Sequence, residues 1–302
     1  MRINDMESNL MTKMTIVRGA FVLILAGWAS QALADCHKEP EKADPVDAVL
    51  TQLNKNIRDM TSFECRIEYK NVQPLFQSQS VRKGFLYYMR SGGKSVLRIN
   101  FETLQVEDEK EQKAVEQYIV LDGPMLKHPG YDFKGVWSVH IDHRLQEVTY
   151  YQVAEPEDPN KSVDVFELVS KYLPMPGFTK TEELKKQFEI ELVEQENAAE
   201  QDFTQVRLKV KPNSTYKDKF LSIDFWIDKK VGLPVKFLAT KTEPEPPSGD
   251  IEEIKILKPK VNKGIDRKVF EFRVPKVFGE PEIKPLPKKG EQGQHGSGNS
   301  DR

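Results

Sequence analysis

The histidines are the residues of this sequence best suited to bind a metal, and one pair stands close together. His140 and His143 form an H-x-x-H motif on a segment that reads as a strand and its following turn. Side chains three residues apart on a strand point to opposite faces, so the two imidazoles cannot bind one metal ion together. We therefore expect surface histidines and predict no metal site.

Familiar catalytic motifs are missing from the sequence. It has no G-x-S-x-G elbow, no P-loop and no C-x-x-C pair, the short patterns that mark several large enzyme classes. Cys65 has no histidine near it in the sequence that would activate a thiol. Asp142 and Asp228 lie at predicted turns, where aspartate is usually structural. The sequence thus predicts that the protein is not an enzyme, and that it has no catalytic residues and no cofactor.

The first 34 residues have the three parts of a secretory signal peptide. Lys13 and Arg18 supply a basic region, residues 20–26 form a short apolar run, and residues 32–34 match the A-x-A cleavage site. The apolar run is far shorter than the ~20 residues that span a bilayer. We predict a signal peptide over residues 1–34 and a mature protein outside the cytoplasm.

The chain has two cysteines, Cys36 and Cys65, and two uses are open to them. In an oxidising compartment they are able to form a disulfide, which would close a loop of roughly 30 residues and contribute about 3–4 kcal/mol. Alternatively, residues 33–36 resemble a lipobox, whose cysteine receives a lipid and becomes the mature N-terminus. Asp35 stands where a lipobox has a small residue, which favours ordinary cleavage after Ala34 and a soluble form.

Hydrophobic periodicity predicts one helix followed by a long series of strands. A capped amphipathic helix is predicted over residues 45–60. Between Phe63 and Val274 the dominant period is two, which indicates about twelve short strands, and helical stretches at 163–172 and 181–187 interrupt them. This pattern predicts an α+β protein with a single large antiparallel sheet, curled or closed, and only a few helices.

One domain, residues 35–283, contains all of these elements. The tail over residues 284–302 is rich in Pro, Lys, Gly and Ser, a composition typical of disorder. The formal net charge of the whole chain is −2. Such a balanced charge gives no electrostatic basis for binding nucleic acid.

Many of the predicted strands carry one strongly apolar face, which must be covered in the folded protein. The available cover is the helix at 45–60 and the region 163–187, which is little for so wide a sheet. Two outcomes are open from the pattern alone. Either a cavity for an apolar ligand remains between the sheet and the helices, or side chains fill the space completely.

Seven short segments follow one another in a characteristic order behind the signal peptide. They are M-T-S-F at 60–63, G-F-L-Y-Y-M-R at 84–90, D-G at 122–123, W-S-V-H-I-D at 137–142, E-V-T at 147–149, G-L-P at 232–234 and F-E-F-R-V-P at 270–275. Their order resembles that of the outer-membrane lipoprotein carriers, the LolA-like periplasmic chaperones. The resemblance extends over roughly residues 46–278.

This resemblance implies an unclosed half-barrel of antiparallel strands with helices as a lid over a hydrophobic cavity. In the family, the cavity takes acyl chains of lipoproteins from an inner-membrane transporter and passes them to an outer-membrane receptor. We accordingly expect a periplasmic, monomeric protein with such partners. Arg90 matches the family's arginine, which latches the lid by hydrogen bonds to backbone carbonyls. Ser91 stands where the family has a proline, and a solvated turn arginine is the alternative role for Arg90.

The apolar faces and the resemblance together predict which residues meet an acyl chain. We expect the cavity wall to consist of Leu86, Tyr88, Leu97, Ile99, Phe101, Trp137, Leu221, Ile223 and Phe225. We expect the lid to consist of Val49, Leu53, Ile57, Met175 and Phe178. The leading hypothesis is a carrier of lipid or lipidated protein, and the alternative is an envelope sensor or interaction module that uses the same half-barrel without transport.

Overall fold

The computed structural model describes residues 44–128, 130–155, 164–169, 175, 181–194, 201–242 and 249–286, all of which belong to one compact unit. The predicted signal peptide, Cys36, Phe178 and most of the predicted tail lie outside these residues. Within the described chain, no helix is long and apolar enough to cross a membrane.

The described residues form a twelve-stranded sheet with three α-helices, α1 (Pro45–Arg58), α2 (Val165–Val169) and α3 (Thr181–Gln187). The strands are β1 (Ser62–Gln73), β2 (Ser78–Ser91), β3 (Lys94–Val106), β4 (Gln112–Asp122), β5 (Val136–Asp142), β6 (Glu147–Ala154), β7 (Phe188–Val193), β8 (Phe203–Val210), β9 (Phe220–Asp228), β10 (Pro234–Lys241), β11 (Ile251–Val261) and β12 (Glu282–Lys284). Their order across the sheet is β12-β6-β5-β4-β3-β2-β1-β11-β10-β9-β8-β7. The end strands β12 and β7 do not pair with each other, so the sheet is not closed.

Helix α1 begins where the sequence predicts. Asp44 caps it by accepting a hydrogen bond from the backbone N–H of Val46 at 3.0 Å, and Pro45 occupies the first helical position. Leu50 and Leu53 are its buried residues. This apolar stripe fixes the helix against one side of the sheet, which we call the inner face.

The core on the inner face draws side chains from distant parts of the sheet. Val120 of β4 and Phe188 of β7 belong to the same buried cluster as Leu50 of α1. Strands so far apart in the sheet order meet in one core only if the sheet curls around the helices. The architecture is therefore the predicted α+β half-barrel.

The opposite side of the sheet, the outer face, carries a second apolar core. Ile119, Val139 and Ile141 are fully buried in it. A C-terminal arm, residues 262–286, covers this core and inserts Phe270 into it. Both faces of this part of the sheet are thus buried, which the sequence analysis did not anticipate.

The period of two that runs up to Val274 predicts a last strand at residues 269–274, and this prediction is wrong, because that segment belongs to the C-terminal arm. A 3₁₀ helix occupies Arg267–Phe270, and the chain then continues without strand pairing until β12. Arg98 of β3 donates hydrogen bonds to the carbonyl oxygens of Val269 and Glu271, each at 2.7 Å. A side chain thus satisfies backbone acceptors that a neighbouring strand would otherwise pair with.

The twelfth strand, β12, also departs from the prediction of a purely antiparallel sheet. It pairs with β6 in parallel, with Glu282 opposite Thr149 and Lys284 opposite Tyr151. The sheet therefore extends one residue beyond the predicted domain end at 283.

Gly84 lies where β2 and β3 approach each other closely. It pairs with Phe101 beside a shift in strand register that leaves Glu102 as the extra residue of a β-bulge. A Cβ atom at position 84 would overlap the carbonyl oxygen of Asn100. The glycine is required here for space.

Gly84→Ala is expected to lower the free energy of unfolding by about 1–3 kcal/mol, because the overlap is relieved only by moving backbone. Gly279→Ala is the matched control, since a Cβ there meets open space, and it should stay within about 0.5 kcal/mol of the wild type. Urea denaturation measures both changes. Equal stability of the two variants would contradict the close approach of β2 and β3.

Candidate ligand cavity

A cavity of about 550 Å³ lies on the inner face of the sheet. This volume is within the range of small-molecule sites, about 300–1,000 Å³. Leu168 and Val169 of α2 belong to its cover, and strands β1 to β6 and β11 supply its walls. The lining consists of Ile67, Tyr69, Arg82, Leu97, Ile99, Phe101, Glu116, Tyr118, Val120, Ser138, Tyr151, Gln152, Val153, Leu168, Val169 and Ile254.

A second recess, of about 770 Å³, lies on the outer face beneath the C-terminal arm. Although it is larger, it is a poorer site for an apolar ligand, because burying charges beside such a ligand is costly. Its charged lining residues are Lys127, Arg267, Glu271, Arg273, Lys276 and Glu280. Those of the inner cavity are Arg82 and Glu116.

The predicted wall residues divide into a lining group and a core group. Leu97, Ile99 and Phe101 of β3 line the cavity. The core group is buried on the same face but away from the lining: Leu86, Tyr88, Ile223 and Phe225. Strand alternation identifies the inner face correctly for all of them, yet it does not distinguish the packed part of that face from the open part.

The prediction for Trp137 is wrong, because its side chain lies on the outer face. Along β5, Ser138 lines the cavity, whereas Trp137 and Val139 belong to the outer core. The indole Nε1 of Trp137 donates to the carbonyl oxygen of Lys134 at 2.8 Å. The more apolar side of this strand faces the C-terminal arm, so apolar character alone selects the wrong face.

The prediction for Leu221 is also wrong, since its side chain is 47% exposed. Ser222 of β9 opposes Thr240, whereas Phe220 opposes Lys241, so Leu221 is the extra residue of a β-bulge. At the start of β9, the bulge therefore reverses which side chains point to the inner face. Phe220 accordingly joins the inner core in place of Leu221.

The predicted lid residues cover the sheet but not the cavity. The α1 residues Val49, Leu53 and Ile57 pack in the inner core, as does Met175; Phe178 lies outside the described residues. The described cover of the cavity is α2, whose Leu168 and Val169 were predicted to be helical but were not assigned to the lid.

Arg90 connects the end of α1 to the start of α2. Its Nη2 donates to the carbonyl oxygen of Met60 at 2.8 Å and also to that of Arg58. Its Nη1 lies 3.2 Å from Oδ2 of Asp164. Asp164 in turn caps α2, since its Oδ1 accepts from the backbone N–H of Phe166 at 2.9 Å. Bonds from this arginine to backbone carbonyls are therefore present, and its role as a latch stays a prediction.

A group of polar side chains that the sequence does not reveal lies at the cavity, and we call it the polar end: Arg82, Glu116 and Tyr118, which line the cavity, and His140, which contacts Glu116 and Tyr118. Oε2 of Glu116 lies 3.1 Å from Nε of Arg82. Its Oε1 accepts from the Tyr118 hydroxyl at 2.5 Å and lies 3.0 Å from Nε2 of His140. The rings of Tyr118 and His140 stack, with centroids 4.5 Å apart. These residues come from three strands, so no sequence motif joins them.

His140 is therefore not the surface histidine that was predicted, because it turns to the inner face and is half-buried. His143 makes a ring contact with Phe278 of the C-terminal arm, with centroids 5.3 Å apart. The two histidines lie on opposite faces, as the strand geometry predicts. Among the described residues, no cluster of three or more His, Cys, Asp or Glu side chains is arranged to hold a metal ion.

The polar end keeps Glu116 ionised. The hydrogen bond with His140 is the largest cause that lowers the pKa of Glu116, to about 2; Tyr118 and Arg82 add to it, and burial opposes it. A carboxyl group whose pKa is lowered on folding stabilises the fold above its ordinary pKa of 4.5. That contribution is lost as the pH falls from about 4.5 towards 2.

Among the described residues Cys65 forms no disulfide, and its side chain is 1% exposed in the inner core. Burial raises its pKa to about 12, so the reactive thiolate is scarce at neutral pH. Cys36, the predicted disulfide partner, lies outside the described residues. The pairing of the two cysteines stays a prediction.

No protein-family model and no curated protein matches the chain. Solved structures do match, and three of them are 11–13% identical to this chain. A chain of the Pseudomonas aeruginosa MucA/MucB complex is 13% identical, with 76% of this chain and 62% of that chain covered, at a TM-score of 0.41. A putative outer membrane lipoprotein-sorting protein domain from Vibrio parahaemolyticus is 12% identical, with 74% of this chain and 95% of that chain covered, at a TM-score of 0.33. A LolA superfamily protein from Nitrosomonas europaea is 11% identical, with 76% of this chain and 99% of that chain covered, at a TM-score of 0.27.

A LolA superfamily protein and a lipoprotein-sorting domain, the kinds of protein that the sequence motifs resemble, are thus among the solved structures similar to this chain. At these identities and TM-scores the likeness carries no conclusion about this chain. Any function has to be argued from the cavity.

Arg90→Met should loosen both helix ends that this side chain joins. Losing its charge-assisted hydrogen bonds is expected to speed amide exchange about tenfold in residues 57–60 and 165–169. Hydrogen–deuterium exchange mass spectrometry measures this, with β4 as the internal reference. Arg58→Met is the matched control, because Arg58 is exposed and contributes its backbone carbonyl to Arg90. Unchanged exchange in α2 would contradict a latch at Arg90.

Proposed function

We propose that this protein is a periplasmic carrier that binds acyl chains of lipoproteins or lipids in the inner-face cavity and moves them toward the outer membrane. The observation that carries the proposal is the cavity itself, about 550 Å³ lined largely by aliphatic and aromatic side chains. Leu97, Ile99 and Leu168 are examples from its wall and cover. The motif resemblance adds the direction of transport, from an inner-membrane transporter to an outer-membrane receptor.

The energetics of acyl chains explain why such a carrier needs a cavity. Each CH₂ group gains about 0.8 kcal/mol on leaving water, so a chain of about 15 carbons does not cross an aqueous compartment unaided. A largely apolar space between sheet and helix replaces the membrane interior during the crossing. Ionic groups confined to one part of the lining leave the rest free for the chain.

Cargo must also leave, which requires the cover to move. Among the described residues, α2 is held at its start by a hydrogen bond from the N–H of Val165 to Oγ of Ser95 at 2.9 Å, and by Asp164, which accepts from Arg90 and from the Tyr88 hydroxyl. These contacts are few compared with the pairing along a strand. Opening at α2 therefore costs less than opening the sheet, and cargo enters and leaves past this helix with Arg90 as its latch.

Filling the cavity should abolish binding. Ser138 of β5 lines the cavity and is half-buried, so Ser138→Phe places a ring in the space for the chain. We expect the affinity for a fluorescent fatty-acid analogue to fall at least about tenfold, since several CH₂ groups lose their place. Fluorescence titration of the purified mature protein measures the affinity.

Ser222→Phe is the matched control, because Ser222 of β9 is also half-buried but lies outside the cavity lining. Its affinity should equal that of the wild type. Failure of the wild type to bind any acyl ligand, in titration or in native mass spectrometry, would overturn the proposal. Transfer of a fluorescent lipid between donor and acceptor vesicles then separates a carrier, which accelerates transfer, from a sensor, which binds without doing so.

A further inference from the structure

The lining of the cavity is not uniformly apolar, and the placement of its charges limits what the ligand is. Arg82 and Glu116 line the same cavity as Leu97 and Leu168. A ligand that fills this space therefore meets hydrocarbon in one part and a guanidinium with a carboxylate in another. Such a lining suits an amphiphile, a molecule with one apolar chain and one polar head.

The acidic groups near the cavity are already supplied with donors. Glu116 lies within bonding distance of Arg82, Tyr118 and His140. Glu252, on the neighbouring strand β11, pairs with Lys241 at 2.5 Å and shares a hydrogen bond with Tyr69 of the lining. Neither carboxylate needs a cationic ligand to complete its hydrogen bonding.

The donors of Arg82 are, in contrast, only partly used. A guanidinium has five N–H donors, and the ion pair with Glu116 is made by Nε at 3.1 Å. Within the described part of the chain, we find no hydrogen bond from Nη1 or Nη2. The side chain lines the cavity and is 32% exposed, so a ligand in the cavity is able to reach the guanidinium. The hydrogen-bond donors that the polar end leaves unused therefore belong to the cationic guanidinium of Arg82.

We infer that the cavity binds a single-chain amphiphile with an anionic head, a carboxylate or a phosphate, whose head contacts Nη1 and Nη2 of Arg82 and whose chain lies between β3 and α2. Planar guanidinium groups bind carboxylate and phosphate oxygens in pairs, which gives geometric selectivity as well as attraction. This inference rests on the proposed acyl-binding function and specifies its ligand class.

Three probes with the same chain test the inference: hexadecanoate, hexadecyl phosphate and hexadecanol. Competition against a fluorescent analogue gives the affinity of each. The wild type should bind the two anions about tenfold more tightly than the alcohol, the equivalent of one charge-assisted contact. Inorganic phosphate should not compete in the micromolar range, which distinguishes an anionic lipid head from a free anion. Equal affinity for the three chains would overturn the inference.

Arg82→Gln should reduce the ratio of anion to alcohol affinity from about ten to about one, and Arg82→Lys should keep part of the preference because it keeps the charge. Arg66→Gln is the matched control, since Arg66 is an exposed arginine of β1 that lies over the Phe85 ring outside the cavity lining. Its ratio should stay near ten. Thermal melting checks that each variant is folded.

The outcomes separate this inference from the function on which it rests. If all three chains bind equally to the wild type and to Arg82→Gln, the acyl-binding function stands and the head-group assignment is wrong. If no chain binds to the folded wild type, both fail. If the ratio of anion to alcohol affinity falls equally in Arg66→Gln, the preference for anions comes from the overall charge of the protein. This result would also overturn the role of Arg82.

Discussion

Apolar surface left in water costs about 25 cal/mol per Å², and the sheet of this protein carries two apolar faces. The outer face is covered by the C-terminal arm, which Arg98 fixes through the carbonyl oxygens of Val269 and Glu271. The inner face is covered because the sheet curls around three short helices. The covering is complete around Ile119, but it leaves a recess with a charged lining beneath the arm and, because the helices are few, a largely apolar cavity beside Leu97.

The same constraint explains where the charges lie. A polar group on a buried sheet face must find partners there, and two groups of charges do so at separate places. Arg90 joins the helix ends through Asp164 and the carbonyl oxygens near Met60. Arg82 pairs with Glu116 inside the cavity. In the function proposed above, the first group holds the cover in place and the second supplies donors to the head of a ligand.

Periodicity predicted most of this fold because most strands are amphipathic and turn residues separate many of them. It could not predict the site equally well. A β-bulge at Leu221 changes which side chains face inward, and no residue type marks it. Trp137 sits on a strand with two buried faces, where hydrophobicity does not tell which one meets a ligand. His140 and Glu116 are distant in sequence and become one group only through strand pairing.

The central claim is that an acyl chain occupies the space between β3 and α2. A crystal structure of the protein with 16-bromohexadecanoate tests it directly, since anomalous scattering from bromine locates the end of the chain. We expect one bromine position inside the inner-face cavity, near Leu97 and Leu168. Bromine beneath the C-terminal arm on the outer face, or no ordered bromine at all, would contradict it.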